Sequence, residues 1–153
     1  MVRQELGDFC SIACFKAAIV GMEDALGEKT AAIALTTAGR ARGKKLAIDL
    51  GVVGQSLPIE VFADKLAYAL GKDGTCLCIV NKIVQSGEVI KVYTSETLCS
   101  AGEEQGSLRK CTFTMGAIWG ALEAFMGKRF QGKHTEFVLQ GAEHDVFEFT
   151  YFG

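Results

Sequence analysis

The residue types best suited to chemistry in this 153-residue chain are its six cysteines and two histidines. Cys10 and Cys14 have the spacing of one helix face, and Cys76 and Cys78 have the spacing of one side of a strand. Either pair could give thiolates to zinc, but a structural zinc site needs further ligands and is commonly presented by C-x-x-C spacing. The pattern favours free thiols that pack as small hydrophobes, and we predict no metal site.

The rest of the sequence gives little support for a phosphate-binding site or for acid–base catalysis. The run GRARGKK, residues 39–45, is similar to a phosphate-binding loop, but Ala38 stands where that motif needs Gly and Lys45 where it needs Ser or Thr. The run falls inside a predicted helix, which favours a solvated face or the edge of a dimer. No nucleophile is paired with the candidate carboxylates, so no catalytic residue is predicted. These carboxylates are Glu103, Glu104, Glu136, Glu143 and Asp145.

Bulk composition excludes several function classes. A net charge of -2 gives no general attraction to nucleic acid, so no nucleic-acid partner is predicted. An apolar content of 49% must enter a large core, an apolar cavity or a subunit interface. The stretch from Cys111 to Leu122 has twelve uncharged residues, fewer than the roughly 20 that span a bilayer. Without a secretory signal pattern, we expect a cytoplasmic protein with reduced thiols, and peripheral membrane attachment stays open.

The apolar periodicity predicts a single domain, residues 1–153, of the α+β class. One helix is expected from about residue 9, capped by Asp8, to Gly27, and others over about 30–50 and 59–71. Strand patterns over 75–85 and 88–94 are joined at Ser86-Gly87, and a second hairpin joins 135–140 to 146–152. The N-terminal helices should pack on an antiparallel sheet of about four to five strands, in the order helices, hairpin, helix, hairpin.

The apolar stretch before the last hairpin contains the only tryptophan. Residues 111–114 are predicted to form a short strand that turns at Gly116 into a helix ending near Met126, with Gly127 as its C-terminal cap. Gly116 and Gly120 form a G-x-x-x-G pair, which lets another backbone approach closely. The large apolar residues of this helix predict that it is buried on most sides.

Two segments carry a family resemblance that extends over about residues 6–152. IALTTAGRARGKKLAIDLG, residues 33–51, resembles the early helix of the 4-vinyl-reductase domain, also called a predicted hydrocarbon-binding domain. Residues 111–141 resemble the C-terminal half of that family. The matching positions are Cys111, Phe113, Gly116, Gly120, Gly127, Glu136, Gly141 and Phe149.

The resemblance implies a small pocket for an apolar ligand between helices and sheet, a fold shared with TRAPP vesicle-tethering subunits, and a homodimer. Similar proteins accompany chlorophyll metabolism or photosystem assembly, so a tetrapyrrole, a pigment precursor or an acyl chain is the expected ligand, and pigment–protein assemblies are candidate partners. No cofactor is otherwise predicted. The predicted ligand-binding residues are Phe62, Leu66, Phe113, Met115, Trp119, Leu122 and Glu136.

Two of these residues have alternatives that the sequence leaves open. Trp119 fits a packed core as well as a cavity wall, where its loss should weaken ligand binding more than tenfold, about 1.4 kcal/mol. Glu136 could orient a ligand. Alternatively, it could have a structural role, either as a cap or in an ion pair with Lys133 or Arg129. The first helix, with Phe9 and neighbouring apolar residues Ile12 and Phe15, is the expected dimer contact.

Departures from the family pattern narrow the function. Cysteines that other members place after the Glu are replaced by Leu139, Val146 and Phe147, which argues against a cysteine-based metal site there. The loop GVVGQS, residues 51–56, has no cysteine to carry an acyl chain, and His134 and His144 are expected in loops beside the last hairpin rather than on a haem-binding helix. We favour a non-enzymatic binder over a vinyl-reductase subunit, because a reductase needs an electron source and the dinucleotide-binding motif G-x-G-x-x-G is missing. An interaction scaffold is the third alternative.

Overall fold

A computed structural model describes residues 2–9 and 11–153. The expectation that Cys10 and Cys14 share one helix face therefore lies outside the described residues, because Cys10 is not among them. The described residues form four helices and four strands, which confirms the α+β class and the element order. The helices are α1 (Ile12–Leu26), α2 (Glu28–Asp49), α3 (Ile59–Leu70) and α4 (Thr112–Met126). The strands are β1 (Ile79–Ser86), β2 (Val89–Ser95), β3 (Phe130–Glu136) and β4 (Asp145–Tyr151), with a 3₁₀ turn at Val138–Gln140.

The sheet is antiparallel with strand order β1-β2-β4-β3. The turn between β1 and β2 has Gly87 at a φ of 61°, so the hairpin predicted at Ser86-Gly87 is confirmed. On the buried face of the central pair, Ile90 lies opposite Phe149 and Val92 opposite Phe147. The helices cover this face.

The start of α1 differs from the prediction. Ser11 caps the helix, since its hydroxyl accepts a hydrogen bond from the Ala13 N–H at 3.2 Å. The Asp8 carboxylate instead accepts hydrogen bonds from the N–H groups of Val2 and Arg3, each at 2.9 Å. Gly27, with a φ of 82°, ends α1 as predicted, and α2 begins directly after it.

Several strand predictions in the second half of the chain are wrong. Residues 111–114 form no strand, because Cys111 is the N-cap of α4 and the first turn packs on α2. Tertiary packing here overrides local β-propensity. The third strand covers residues 130–136 instead of 135–140, since its pairing with β4 begins at Phe130 opposite Tyr151. His134 therefore lies in a strand rather than in a loop.

The cysteines at positions 76 and 78 also lie outside a strand, because β1 begins at Ile79. Cys76 is exposed with a φ of 54°, and Cys78 is buried. Backbone hydrogen bonds from Leu77 and Cys78 to the Leu70 carbonyl fold this loop back on the end of α3. The two thiols therefore do not share one face.

Helices α2 and α4 pack through glycines on both partners. A Cβ added to Gly43 would overlap the Ala117 carbonyl and lie 2.7 Å from the Ala121 nitrogen, and one added to Gly116 would lie 3.1 Å from the Arg40 nitrogen. Backbone therefore meets backbone, and the G-x-x-x-G pair at Gly116 and Gly120 serves helix packing as predicted. Its partner is a second G-x-x-x-G in α2, formed by Gly39 and Gly43. We call this contact the glycine seam.

Burial on most sides of α4 is confirmed, because eight of its fifteen residues are buried. On its C-terminal half, the Phe125 ring stacks on Phe62 of α3 with centroids 4.3 Å apart. Of the helices in the described part of the chain, none is both long and apolar enough to cross a membrane.

Candidate ligand pocket

A cavity of about 340 Å³ lies beside the N-terminal half of α4. We call it the α1–α4 pocket, because α1 and α4 supply its aromatic walls. Its lining also includes residues from the segment before α1, from α2, from the end of α3 and from the loop that follows α3. The lining residues are Asp8, Phe9, Ile12, Phe15, Arg42, Leu46, Leu70, Thr75, Leu77, Phe113 and Ala117.

The space exists because small and large residues alternate around it. Ala117 has its backbone in the glycine seam, so a small side chain faces the pocket at this point. Phe113, one turn earlier, meets Phe15 edge-on with ring centroids 4.8 Å apart. Leu46 lies one turn after Gly43 and forms part of the opposite wall. The cavity therefore lies between two contacts of α4, one with α2 at the glycines and one with Phe15 of α1.

The segment that covers the pocket, formed by α1 and the residues before it, is only partly packed against the rest of the protein. Phe9 is 69% exposed and Ile12 is 43% exposed, although both line the cavity. Phe15 is half-buried. Large apolar side chains that stay in solvent at the mouth of an apolar cavity can gain burial when a ligand or a partner binds.

Polar groups occur at three lining positions. The Asp8 pKa is lowered by hydrogen bonds from the backbone N–H groups of Arg3 and Val2, so its carboxylate is charged at neutral pH. Arg42 is exposed and brings the opposite charge to the same opening. The Thr75 hydroxyl donates to the Ala69 carbonyl at 3.3 Å. The interior is therefore apolar, and charge is confined to the mouth.

The structure disperses the residues predicted to bind ligand. Only Phe113 lines the α1–α4 pocket. Three of the others are buried in the core, Met115 and Trp119 are half-buried, and Glu136 is exposed at the end of β3. The three core residues are Phe62, Leu66 and Leu122. Ligand contact by residues other than Phe113 stays a prediction, and it would require the cavity to extend past Ala117 into the core.

Trp119 connects three elements. Its indole N–H donates to the Phe130 carbonyl at 3.0 Å, at the first residue of β3. The Arg40 guanidinium of α2 lies 4.4 Å from the centre of the ring. Arg40 also pairs with Glu123 at 2.6 Å, and Glu123 accepts the Phe130 N–H at 2.9 Å. These contacts give Trp119 a structural role on the side of α4 that faces the sheet.

Glu136 lies at an irregularity in the pairing of β3 with β4, between positions 134 and 136. Within the described residues, it forms no ion pair with Lys133 or Arg129, the structural partners considered from the sequence. It also does not line the α1–α4 pocket. Its role in ligand orientation stays a prediction.

Most of the pocket could not be predicted from the sequence. Leu46, Leu70 and Leu77 come from three different elements and carry no shared motif. One usable signal was present, because Gly39 and Gly43 repeat the spacing of Gly116 and Gly120. Pairing the two motifs would have placed α2 against α4 and brought Leu46 beside Ala117.

Two solved structures of similar fold provide comparisons. The phenol-responsive sensory domain of the transcription activator PoxR, solved with phenol, has a TM-score of 0.69 and 14% identity, covering 95% of this chain and 76% of that chain. A trafficking protein particle complex subunit 3 from Naegleria fowleri, covalently bound to palmitic acid, has a TM-score of 0.63 and 16% identity, covering 93% of both chains. No family model and no curated protein matches the sequence.

At these identities the similarity shows the fold alone. It confirms the fold that the resemblance implied, the one shared with vesicle-tethering subunits. Membership of the 4-vinyl-reductase family stays a prediction.

Proposed function

We propose that this protein binds an apolar small molecule in the α1–α4 pocket, without converting it chemically. The observation that carries the proposal is the pocket, which combines about 340 Å³ of space with aromatic and aliphatic walls and charge only at its mouth. Ligand sites in proteins are commonly concave, mostly apolar and roughly 300–1,000 Å³ in volume, with a few polar groups that orient the ligand. The α1–α4 pocket has these properties.

The ligands of the two similar structures support the same chemical class. One structure contains phenol and the other contains palmitic acid, and both molecules join an apolar body to one polar end. An elongated amphipathic molecule would place its apolar part against Phe113 and Leu46. Its polar end would then lie near Arg42 and Thr75 at the mouth.

A tetrapyrrole or pigment precursor is the more specific ligand that the sequence resemblance suggests. The volume of about 340 Å³ lies near the lower end of the range for ligand sites, which favours a single ring or a chain over a macrocycle. A tetrapyrrole would require α1 to move outward. An absorbance spectrum of the protein purified from its native source distinguishes these ligands, because a bound pigment absorbs visible light and a phenol or fatty acid does not.

Probe displacement tests the proposal. A fluorescent naphthalene sulfonate probe is bound to the purified 153-residue chain and then displaced by phenol or by palmitate. Phe113→Ala removes an aromatic wall and should weaken probe binding about tenfold, or 1.4 kcal/mol. The matched control is Phe152→Ala, which removes a phenylalanine that is exposed and does not line the pocket.

The folding of each variant is checked by circular dichroism before binding is measured. Weaker binding in Phe113→Ala, with normal binding in Phe152→Ala, supports the pocket. Equal binding by wild type and a folded Phe113→Ala variant, or saturable displacement by neither ligand, would remove the proposal.

We also propose a homodimer through the segment that begins α1. Phe9 and Ile12 are exposed beside the pocket mouth, and the predicted contact residue Phe15 lies beneath them. A second copy would cover this apolar surface and close the pocket. Sedimentation velocity should show a dimer at micromolar concentration that is weakened by Phe9→Ser, whereas a wild-type monomer would contradict this proposal.

A further inference from the structure

The basic run of α2 contributes one cation to the α1–α4 pocket. Arg40 pairs with Glu123 at 2.6 Å, and Lys45 pairs with Asp49 one turn later in the same helix. Arg42 lines the pocket and forms no ion pair with any residue that the structure describes. Its charge is therefore available to a ligand.

The other two polar side chains of the lining are already engaged. The Asp8 carboxylate accepts hydrogen bonds from two backbone N–H groups of the N-terminal segment, each at 2.9 Å. The Thr75 hydroxyl donates its proton to the Ala69 carbonyl at 3.3 Å, which leaves its oxygen as an acceptor only. Arg42 is thus the lining side chain, within the described part of the chain, whose hydrogen-bond donors are unused.

The position of Arg42 suits the head of a ligand whose body is apolar. Arg42 is exposed, and Leu46, one helical turn later, is buried and forms part of the pocket wall. Deeper lining residues are also apolar, among them Leu70 and Phe113. A molecule that fills this space with its apolar part therefore ends beside the guanidinium at the mouth.

The chemistry of a guanidinium decides which head is favoured. Its planar N–H groups match the two oxygens of a carboxylate, and hydrogen bonds between charged partners are roughly twice as strong as those between neutral groups. A hydroxyl head gains only one weaker hydrogen bond, and an ammonium head is repelled. Apolar walls on one side also reduce the screening of the pair by water.

Given an apolar ligand in the pocket, as proposed above, we infer that Arg42 determines its class, so that the protein selects apolar molecules that end in a carboxylate. A fatty acid and an alkylated aromatic acid share this chemistry. The apolar body gives affinity in either case, and the pairing with Arg42 gives specificity for the charged head.

Matched pairs of charged and neutral ligands test this inference. Decanoate is compared with decanol as the acyl-chain arm, and para-butylbenzoate with para-butylbenzyl alcohol as the aromatic arm. Each is titrated calorimetrically into the purified 153-residue chain. Arg42→Gln should weaken binding of the better carboxylate by about fivefold or more and change binding of its alcohol by less than about twofold. The arm with the tighter carboxylate identifies the body of the ligand.

Lys44→Gln is the matched control, because it removes the same charge from an exposed position of the same helix outside the lining. It should bind all four ligands like wild type. A loss of carboxylate affinity in both variants would show a general effect of net charge and would overturn the role of Arg42. Circular dichroism verifies that both variants are folded.

Charge reversal separates recognition from a structural role. Arg42→Glu should bind decylammonium more tightly than decanoate, whereas wild type should have the opposite preference. A residue that only supports the wall would weaken both ligands alike.

The outcomes distinguish this inference from the proposal on which it rests. Unchanged carboxylate affinity in a folded Arg42→Gln variant, while the alcohols still bind, would overturn the role of Arg42 and leave the pocket intact. An equal loss for carboxylate and alcohol would overturn it as well. Failure of wild type to bind any of the four ligands would overturn both the pocket and the role of Arg42.

Discussion

Helix α4 makes two contacts within one turn of each other, and they are built in opposite ways. At the glycine seam, residues without side chains bring its backbone against α2, so that one added methyl group overlaps the Ala117 carbonyl. At the α1–α4 pocket, Phe15 and Phe113 meet edge-on and leave about 340 Å³ of open space. Ala117 belongs to both contacts, with its backbone in the seam and its side chain at the pocket.

The difference shows how a small chain can keep a cavity open. Space inside a protein costs stability unless neighbouring contacts compensate for it. The glycine seam fixes α2 and α4 rigidly, and the contacts of Trp119 fix α4 to β3 on the other side. With α4 held by both, the pocket wall does not have to pack densely. The cover formed by α1 can then stay loosely packed and open to a ligand.

The largest loss of stability is expected when a side chain is added at the glycine seam. In Gly43→Ala, the added methyl meets the Ala117 carbonyl and the Ala121 nitrogen, which are backbone atoms that move only if the helices separate. We expect a loss of about 3 kcal/mol or more in the free energy of unfolding, measured with urea. Gly21→Ala is the matched control, because that helical glycine has open space around it. It should be neutral or stabilising by about 0.5–1 kcal/mol.

A Gly43→Ala protein as stable as wild type would contradict the proposed difference between seam and pocket, since the two contacts would then tolerate added volume equally.

A smaller effect is expected on the sheet side of α4. Trp119→Ala removes the hydrogen bond to the Phe130 carbonyl and the ring beneath Arg40. Because the ring is only half-buried, the change should cost about 2 kcal/mol in the free energy of unfolding. Because Trp119 does not line the pocket, probe affinity of the folded variant should stay within about twofold of wild type. Tyr68→Ala, at an exposed aromatic, is the control and should change stability by less than about 0.5 kcal/mol.

A tenfold loss of affinity in a stable Trp119→Ala protein would instead favour the expectation from sequence, in which Trp119 contacts the ligand.

The smallest effect concerns the ion pairs that hold α1. Glu103 pairs with Lys16 of α1 at 2.9 Å and with Arg109 at 2.7 Å. The hydrogen bond from Lys16 lowers the pKa of Glu103, and this effect outweighs burial, which raises the pKa. Arg109 lowers the pKa further. A lowered folded-state pKa stabilises the protein above the ordinary glutamate value of about 4.3, and this contribution is lost as the pH falls through the folded pKa.

Glu103→Gln should therefore reduce stability by less than about 1 kcal/mol at neutral pH, with the difference from wild type vanishing in acid. Urea unfolding at several pH values measures this, and Glu104→Gln at the neighbouring exposed carboxylate is the control. A difference that grows in acid would have the wrong sign for this account.

The sequence predicted more of the fold than of the site, for reasons that particular residues show. Helix α3 and the hairpin at Ser86-Gly87 follow from local period and turn chemistry, which act between neighbours in the chain. The prediction for the start of α4 was wrong because the β-prone residues after Cys111 pack on α2, which is about seventy residues away in the sequence. The pocket depends entirely on such distant pairings, since Leu46 and Leu77 have no pattern that relates one to the other.

Methyl chemical shifts report whether an apolar ligand occupies the α1–α4 pocket, because a bound molecule changes the surroundings of the lining side chains. The chain is labelled at leucine and isoleucine methyls and titrated with phenol and, separately, with palmitate. If the ligand binds in this pocket, we expect saturable shifts at Ile12, Leu46, Leu70 and Leu77, with exposed Ile33 and Ile48 unaffected. Shifts confined to residues outside the lining, or no saturable shift with either ligand, would contradict it.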